Sequence, residues 1–221
     1  MKKRSLLVLA PHPDDETLGC GGTLLRARRE GAAIHWVIAT SMTASWSAER
    51  RAARDREIEA VARRYGFAST TRLGFPAAAL ETVPFGRVVE ALGAAVAKAK
   101  PDTFLVPHAG DAHTDHRVCA EAADACSKWF RFPSVKKVLA YETLSETDQA
   151  PLHRPGFRAE VFVGIERELK AKLSLMSLYK GETAPHPFPR GARAVTALAR
   201  VRGASVGLKA AEAFSLLKEA A

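Results

Sequence analysis

The stretch Leu6-Leu7-Val8-Leu9-Ala10-Pro11-His12-Pro13-Asp14-Asp15-Glu16 joins an all-apolar run to a loop dense in histidine and carboxylates. An apolar run without polar alternation is the pattern of a strand buried on both faces, the usual condition in a parallel sheet. Working outward, residues 34–40 and 103–106 read as further strands, with weaker strand signals at 71–73, 135–141 and 161–165. Between them lie helical stretches. A glycine-rich one (Gly19, Gly21, Gly22) ends near Glu30-Gly31, and a long one over 48–65 is closed by Gly66 as its C-cap. Others cover 86–98, 115–129, 166–179 and 192–202, and one more is expected near the end. Alternating strands and helices predict an α/β fold with a mainly parallel sheet flanked by helices, whose ligands bind at the carboxyl ends of the strands.

The 221 residues have no internal repeat, and the Pro-His-Pro-Phe-Pro segment at 185–189 is too short for an interdomain linker, so one domain over 1–221 is expected. Lys and Arg total 33 against 24 Asp and Glu, a formal charge of +9 that favours anionic ligands without choosing among them. Cys20, Cys119 and Cys126 form an odd set without Cys-x-x-Cys spacing, which argues against a disulfide framework or a structural zinc cluster. Met1-Lys2-Lys3-Arg4 and the apolar run after it resemble a secretory signal, but residues 11–16 cut that run too short. No run reaches the length of a membrane helix. A soluble, cytoplasmic protein without a transmembrane segment is expected.

Two polar clusters follow strands. The first is 11–16; the second, Asp111-Ala112-His113-Thr114-Asp115-His116, follows the 103–106 strand, so a parallel sheet sets them at one edge. Imidazole and carboxylate suit zinc and related divalent ions, and a catalytic site uses three protein ligands with one position open. His12, Asp15 and His116 supply that number, leaving Asp14 as base for a metal-activated water. His113 could then protonate the leaving amine or stabilise the oxyanion, with Asp115 holding its ring in the required tautomer. Either cluster alone could be a set of loop acids and helix caps. Their coincidence behind two apolar strands argues for a site.

With these residues in place, the sequence resembles the LmbE-like (PIG-L) family of metal-dependent deacetylases. The resemblance rests on Pro-His-Pro-Asp-Asp-Glu at 11–16, Leu18-Gly19, Gly21-Gly22 and His113-Thr114-Asp115-His116, with weaker support from Phe162-Val163, Arg202-Gly203 and Ala211-Glu212-Ala213-Phe214. It implies a Rossmann-like fold and removal of the N-acetyl group from a GlcNAc-type sugar. His12, Asp15 and His116 would bind Zn2+ or another divalent metal such as Fe2+, with Asp14 as base and His113 as acid or oxyanion stabiliser. It also implies a substrate contact at Arg54, which shares a helix face with Ile58, Val61 and Tyr65. Two places depart from the family's pattern: Ser41-Met42 and Phe75-Pro76-Ala77-Ala78 stand where many relatives carry acids, which argues against thiol-cofactor glycosides. The segment 141–147 resembles relatives of surface-polysaccharide assembly and implies a nucleotide-linked or lipid-linked acetamido sugar.

His186 and Arg190 are expected at the mouth of the site, reading phosphate or sugar. The sequence assigns no role to Glu142, Ser145 or Glu146, and it leaves a homo-oligomer possible. His108 reads as structural, and Cys20 as a packing residue. Gly19-Cys20-Gly21-Gly22 lacks dinucleotide-loop spacing, so NAD binding is rejected. Two other readings compete. One is a metal-dependent amidase removing a larger acyl group from an amino-sugar conjugate. The other is a nucleic-acid-binding module, motivated by the +9 charge and the basic run Arg50, Arg51, Arg54, Arg56. It lacks a recognised motif and a stacking-aromatic pattern, so no nucleic-acid partner is expected.

Overall fold

The computed structural model describes residues 4–220, so Met1, Lys2 and Lys3 of the basic start lie outside the described residues. Five strands, β1 (Ser5–Ala10), β2 (Ala33–Ser41), β3 (Ser69–Pro76), β4 (Thr103–Pro107) and β5 (Lys137–Tyr141), run parallel. Two more, β6 (Val161–Gly164) and β7 (Ala211–Glu219), complete one sheet in the order β3-β2-β1-β4-β5-β7-β6, with β7 antiparallel to both neighbours. The expected α/β architecture with a mainly parallel sheet is therefore present.

The apolar run in β1 has a direct cause. Leu6, Val8 and Ala10 pack on one face in a core with residues of α1 (Asp15–Arg29), α2 (Ala48–Tyr65), α5 (Leu169–Met176) and α6 (Ala192–Ala204). Leu7 and Leu9 pack on the other, against α3 (Phe85–Ala99) and α4 (Thr114–Ala125). Gly66 closes α2 in the left-handed conformation expected of it. Among the described residues, no helix is long and apolar enough to cross a membrane.

The end of the chain corrects one expectation. Ala211-Glu212-Ala213-Phe214-Ser215-Leu216-Leu217-Lys218-Glu219 is rich in helix formers, yet it forms β7, inserted between β5 and β6. Ladder hydrogen bonds on both sides and burial of Ala211, Ala213 and Phe214 outweigh a weak intrinsic preference.

β7 also repairs α1. Gly19 and Gly22 allow close packing: a Cβ on Gly19 would stand 2.2 Å from the Tyr141 ring, and one on Gly22 would stand 2.7 Å from Ile165. The helix kinks at Cys20, whose φ of −143° is not helical. Past the kink, the Gly22 and Thr23 N–H groups donate to the Glu212 carboxylate at 2.8 and 2.7 Å. Lys172 Nζ donates to Glu212 at 2.7 Å and to the Leu18 carbonyl at 2.8 Å. Lys172 and Glu212 are both buried. Glu212→Ala would strand an ammonium and two N–H groups, so it should cost about 3–5 kcal/mol of stability, with Glu212→Gln costing less. Urea unfolding of the variants measures this, and an unchanged midpoint for Glu212→Ala would contradict it.

Candidate active site

β1 and β4 are adjacent and parallel, with Val8 opposite Leu105, so the loops that follow them leave the same sheet edge side by side. Each loop runs straight into a helix. Asp15 opens α1, where the helix dipole favours its charge, and His116 sits in the first turn of α4. The two sequence clusters meet here as expected.

His12, Asp15 and His116 offer ligand atoms that all lie within 4.8 Å of one another. Asp15 Oδ2 is 3.4 Å from His12 Nδ1 and 3.3 Å from His116 Nε2. The far nitrogen of each ring is anchored: His12 Nε2 donates to Asp115 Oδ2 at 2.9 Å, and His116 Nδ1 to Asp111 Oδ2 at 2.8 Å. Protons held on those nitrogens leave the lone pairs of His12 Nδ1 and His116 Nε2 facing Asp15, the carboxylate–imidazole arrangement that supports metal ligands. His116 Nε2 is buried and has no hydrogen-bond partner among the described residues. In the neutral ring this nitrogen is a buried acceptor without a donor, and a divalent cation would satisfy it. These residues fit such an ion.

Asp115 departs from its expected part. Its carboxylate does not hold His113; it receives His12 and the N–H groups of Ala78 and Leu80 at 2.7 and 3.0 Å. The His113 ring is set by the Asp115 backbone, whose N–H donates to His113 Nδ1 at 3.1 Å. That bond places the His113 proton on Nε2. The reason is local: His113 is the N-cap of α4 and accepts from the residue two positions on, which turns the Asp115 side chain away from it. Asp111 is the anchor that sequence reasoning quoted but gave no role. It is fully buried and also accepts from the Thr147 hydroxyl at 2.6 Å.

Asp14 has a φ of 137°, strained for a residue other than glycine. Its neighbours hold it there. The Asp14 carbonyl accepts from Thr17 and Leu18, its N–H donates to Glu16, and Arg54 donates to the Pro13 carbonyl at 3.0 Å. Burial, together with the carboxylates of Asp15 and Glu182, raises the Asp14 pKa well above the usual carboxylate range, and Arg190 opposes the rise from 3.6 Å. Burial also pushes Glu16 up to about 7, although Thr17 and Tyr179 donate to it. For Asp15, burial is overcome by the two imidazoles, which hold its pKa below the usual range. Burial and the neighbouring His12 lower the pKa of His113.

These groups open into a cavity of about 700 Å³. Arg54 and Arg190 line it as expected, but Arg54 is buried and committed to Pro13, Glu57 and Glu182. His186 does not join them. It lines an adjoining depression with residues of α5 and α6, and Arg190 borders both, so the exposed His186 lies beside the cavity and not in its lining. Of the residues left without a role, Glu142 is paired bidentately with Arg202, whereas Glu146 lines the cavity and accepts from the His113 N–H at 3.1 Å. Glu182 and Trp46 also line the cavity, and neither carried a sequence signal. His108 bonds the Pro155 carbonyl, consistent with a structural part.

Residues 7–127, just over half of the chain, match the model of a family described as PIG-L: GlcNAc-PI de-N-acetylase. The chain belongs to the PIG-L family. Membership places it among N-deacetylases. The structure is similar to the conserved protein TT1542 of Thermus thermophilus, with 27% identity, a TM-score of 0.79, and coverage of 98% of this chain and 96% of that one. It is similar to the N,N'-diacetylchitobiose deacetylase of Pyrococcus horikoshii at 20% identity and TM-score 0.77, covering 97% and 84%. It is also similar to GalB, the 4-carboxy-2-hydroxymuconate hydratase of Pseudomonas putida, at 18% identity and TM-score 0.77, covering 99% and 98%. Likeness to a deacetylase and a hydratase alike carries the fold alone. No curated protein matches the sequence.

The paired histidines of this PIG-L site give the metal-free protein a pH signature. Burial opposes charge on His12, but Asp115 and Asp15 outweigh it and raise its pKa from 6.5 to about 9. A folded pKa above the unfolded one gives stability that is full below pH 6.5 and lost as pH rises through about 9. Urea unfolding of chelated protein should show that decline, and His12→Gln should make it shallower, with His116, whose pKa Asp15 and Asp111 also raise, keeping part of it. An equally steep decline in the variant would contradict the assignment.

Proposed function

We propose that this PIG-L protein, acting as one domain, is a metal-dependent hydrolase that removes the N-acetyl group from a GlcNAc-type amino sugar. The observation that carries the reading is the pair of inward-facing imidazole nitrogens around Asp15, each ring anchored by its own buried carboxylate, with Asp14 beside them. His12, Asp15 and His116 would hold the ion, and a nitrogen-and-oxygen donor set suits zinc or iron(II). When bound, a divalent ion acidifies water and polarises an amide carbonyl.

The chain's own residues do the rest. Asp14 takes the proton of the attacking water on a carboxylate oxygen and delivers it to the amine nitrogen as the C–N bond breaks. Its raised pKa suits both transfers. His113, neutral and protonated on Nε2, donates to the amide oxygen as charge develops there. Asp115 and Asp111 position the ligand rings, and Arg190 holds Asp14 while facing the sugar.

Acetate release from a panel of N-acetylated sugars tests this. Metal-replete protein should release acetate and chelated protein should not. Asp14→Asn should lower kcat by about 10²–10⁴-fold, and His113→Gln by about 10²–10³-fold. Metal-replete protein that releases only longer acyl groups would replace this reading with the larger-acyl amidase, and release of neither would end it.

A further inference from the structure

The cavity is larger than the metal centre requires, and its outer wall has a chemistry of its own. It is built from the loop before α2, the start of α2 and the facing part of β3: Trp46, Arg50, Arg51, Asp55 and Arg72 all line it. Three arginines stand there against one aspartate. Arg50 is engaged by Glu57 and the Lys180 carbonyl. Arg72 holds Asp55 at 2.6 Å in a solvent-exposed pair, the kind that contributes little and exchanges readily. Arg51 makes no ion pair or side-chain hydrogen bond among the described residues.

Deeper in the same wall, the Nε atoms of Arg54 and Arg190 are buried and lack hydrogen-bond partners among the described residues. Arg54 Nε faces the Glu57 carboxylate at 3.3 Å, so the donor left over on this wall is Arg190 Nε. Trp46 is 50% exposed at the rim, an unusual position for an indole with no partner ring. Guanidinium groups bind phosphate oxygens through planar paired donors, and an exposed indole offers a face for a flat ring.

We propose that the acetamido sugar carries a nucleoside diphosphate, with the diphosphate held by Arg51 and Arg72 and the base stacked on Trp46. This rests on the deacetylase reading for the sugar end only. The wall itself is tested without turnover. A diphosphate group answers the excess of arginine, and the ring answers Trp46; a lipid diphosphate would supply only the first.

Calorimetry on chelated protein excludes phosphate bound through the metal. UDP should bind, and Trp46→Ala and Arg51→Ala should each weaken it about ten-fold, while Trp129→Ala, at an exposed tryptophan that does not line the cavity, should not. Inorganic diphosphate or geranyl diphosphate binding as tightly as UDP, or UDP binding that Trp46→Ala leaves unchanged, would overturn the nucleoside assignment. With metal restored, UDP-GlcNAc should have a lower KM than free GlcNAc, and Trp46→Ala should raise that KM with little change in kcat. Equal KM values for the two sugars would overturn the proposal while leaving deacetylation intact. UDP binding without acetate release would instead uphold the subsite and defeat the deacetylase reading.

Discussion

The negative charge of Asp15 is the constraint on which the site depends. It is 3% exposed, and an unpaired carboxylate at such a place would cost several kcal/mol. Two imidazoles and the first turn of α1 offset that cost, but each imidazole then needs a fixed orientation. Asp115 and Asp111 supply it, and they in turn are held by the Ala78 and Leu80 N–H groups and the Thr147 hydroxyl. One buried charge thus fixes the connection after β3 and the loop after β5, neither of which offers a metal ligand. Ala78 and Glu146 of those segments also line the cavity, so the ligand geometry and part of its wall share one set of supports.

A second buried pair secures the helix that carries Asp15. α1 gives up helical geometry at Cys20, and Glu212 with Lys172 takes over the hydrogen bonds lost there. Both residues lie beyond 127, where the family match ends. The matched part therefore carries the polar clusters, while the remainder braces them through β7 and α5. Glu182 and Arg190 extend this division of labour: from outside the matched part they reach Arg54 and Asp14.

Much of the fold was legible because β1 is apolar on both faces, which only a sheet covered on both sides explains. The meeting of His12, Asp15 and His116 was legible for a related reason, since strand ends at one sheet edge bring together the loops that follow them. Other features were not. The terminal segment has helical composition, and only its partners β5 and β6 make it a strand. Asp115 was read with the wrong imidazole because sequence proximity to His113 outweighed a contact with His12 across the sheet edge. His186 was read together with Arg190 because they share one proline-rich loop, yet three residues separate its exposed ring from the guanidinium at the cavity. Trp46 and Glu182 sit in segments without periodicity, and their importance comes from the cavity they face.

The charge of +9 could not name a partner, and its placement explains why. Along the sequence, Arg50, Arg51, Arg54 and Arg56 look like one basic stripe, the electrostatic footprint of a nucleic-acid binder. On the folded helix they separate. Arg54 is buried against Glu57 and Glu182, and Arg50 bends to Glu57 and Lys180, which leaves Arg51 facing the cavity and Arg56 facing outward. A polyanion needs charges spread over a convex face so that several phosphates are met at once. Here the available donors line a concave wall beside His12, Asp15 and His116, a shape suited to one small-molecule anion. Concavity, more than total charge, is what suits the basic residues of α2 to a small ligand and not to a polyanion.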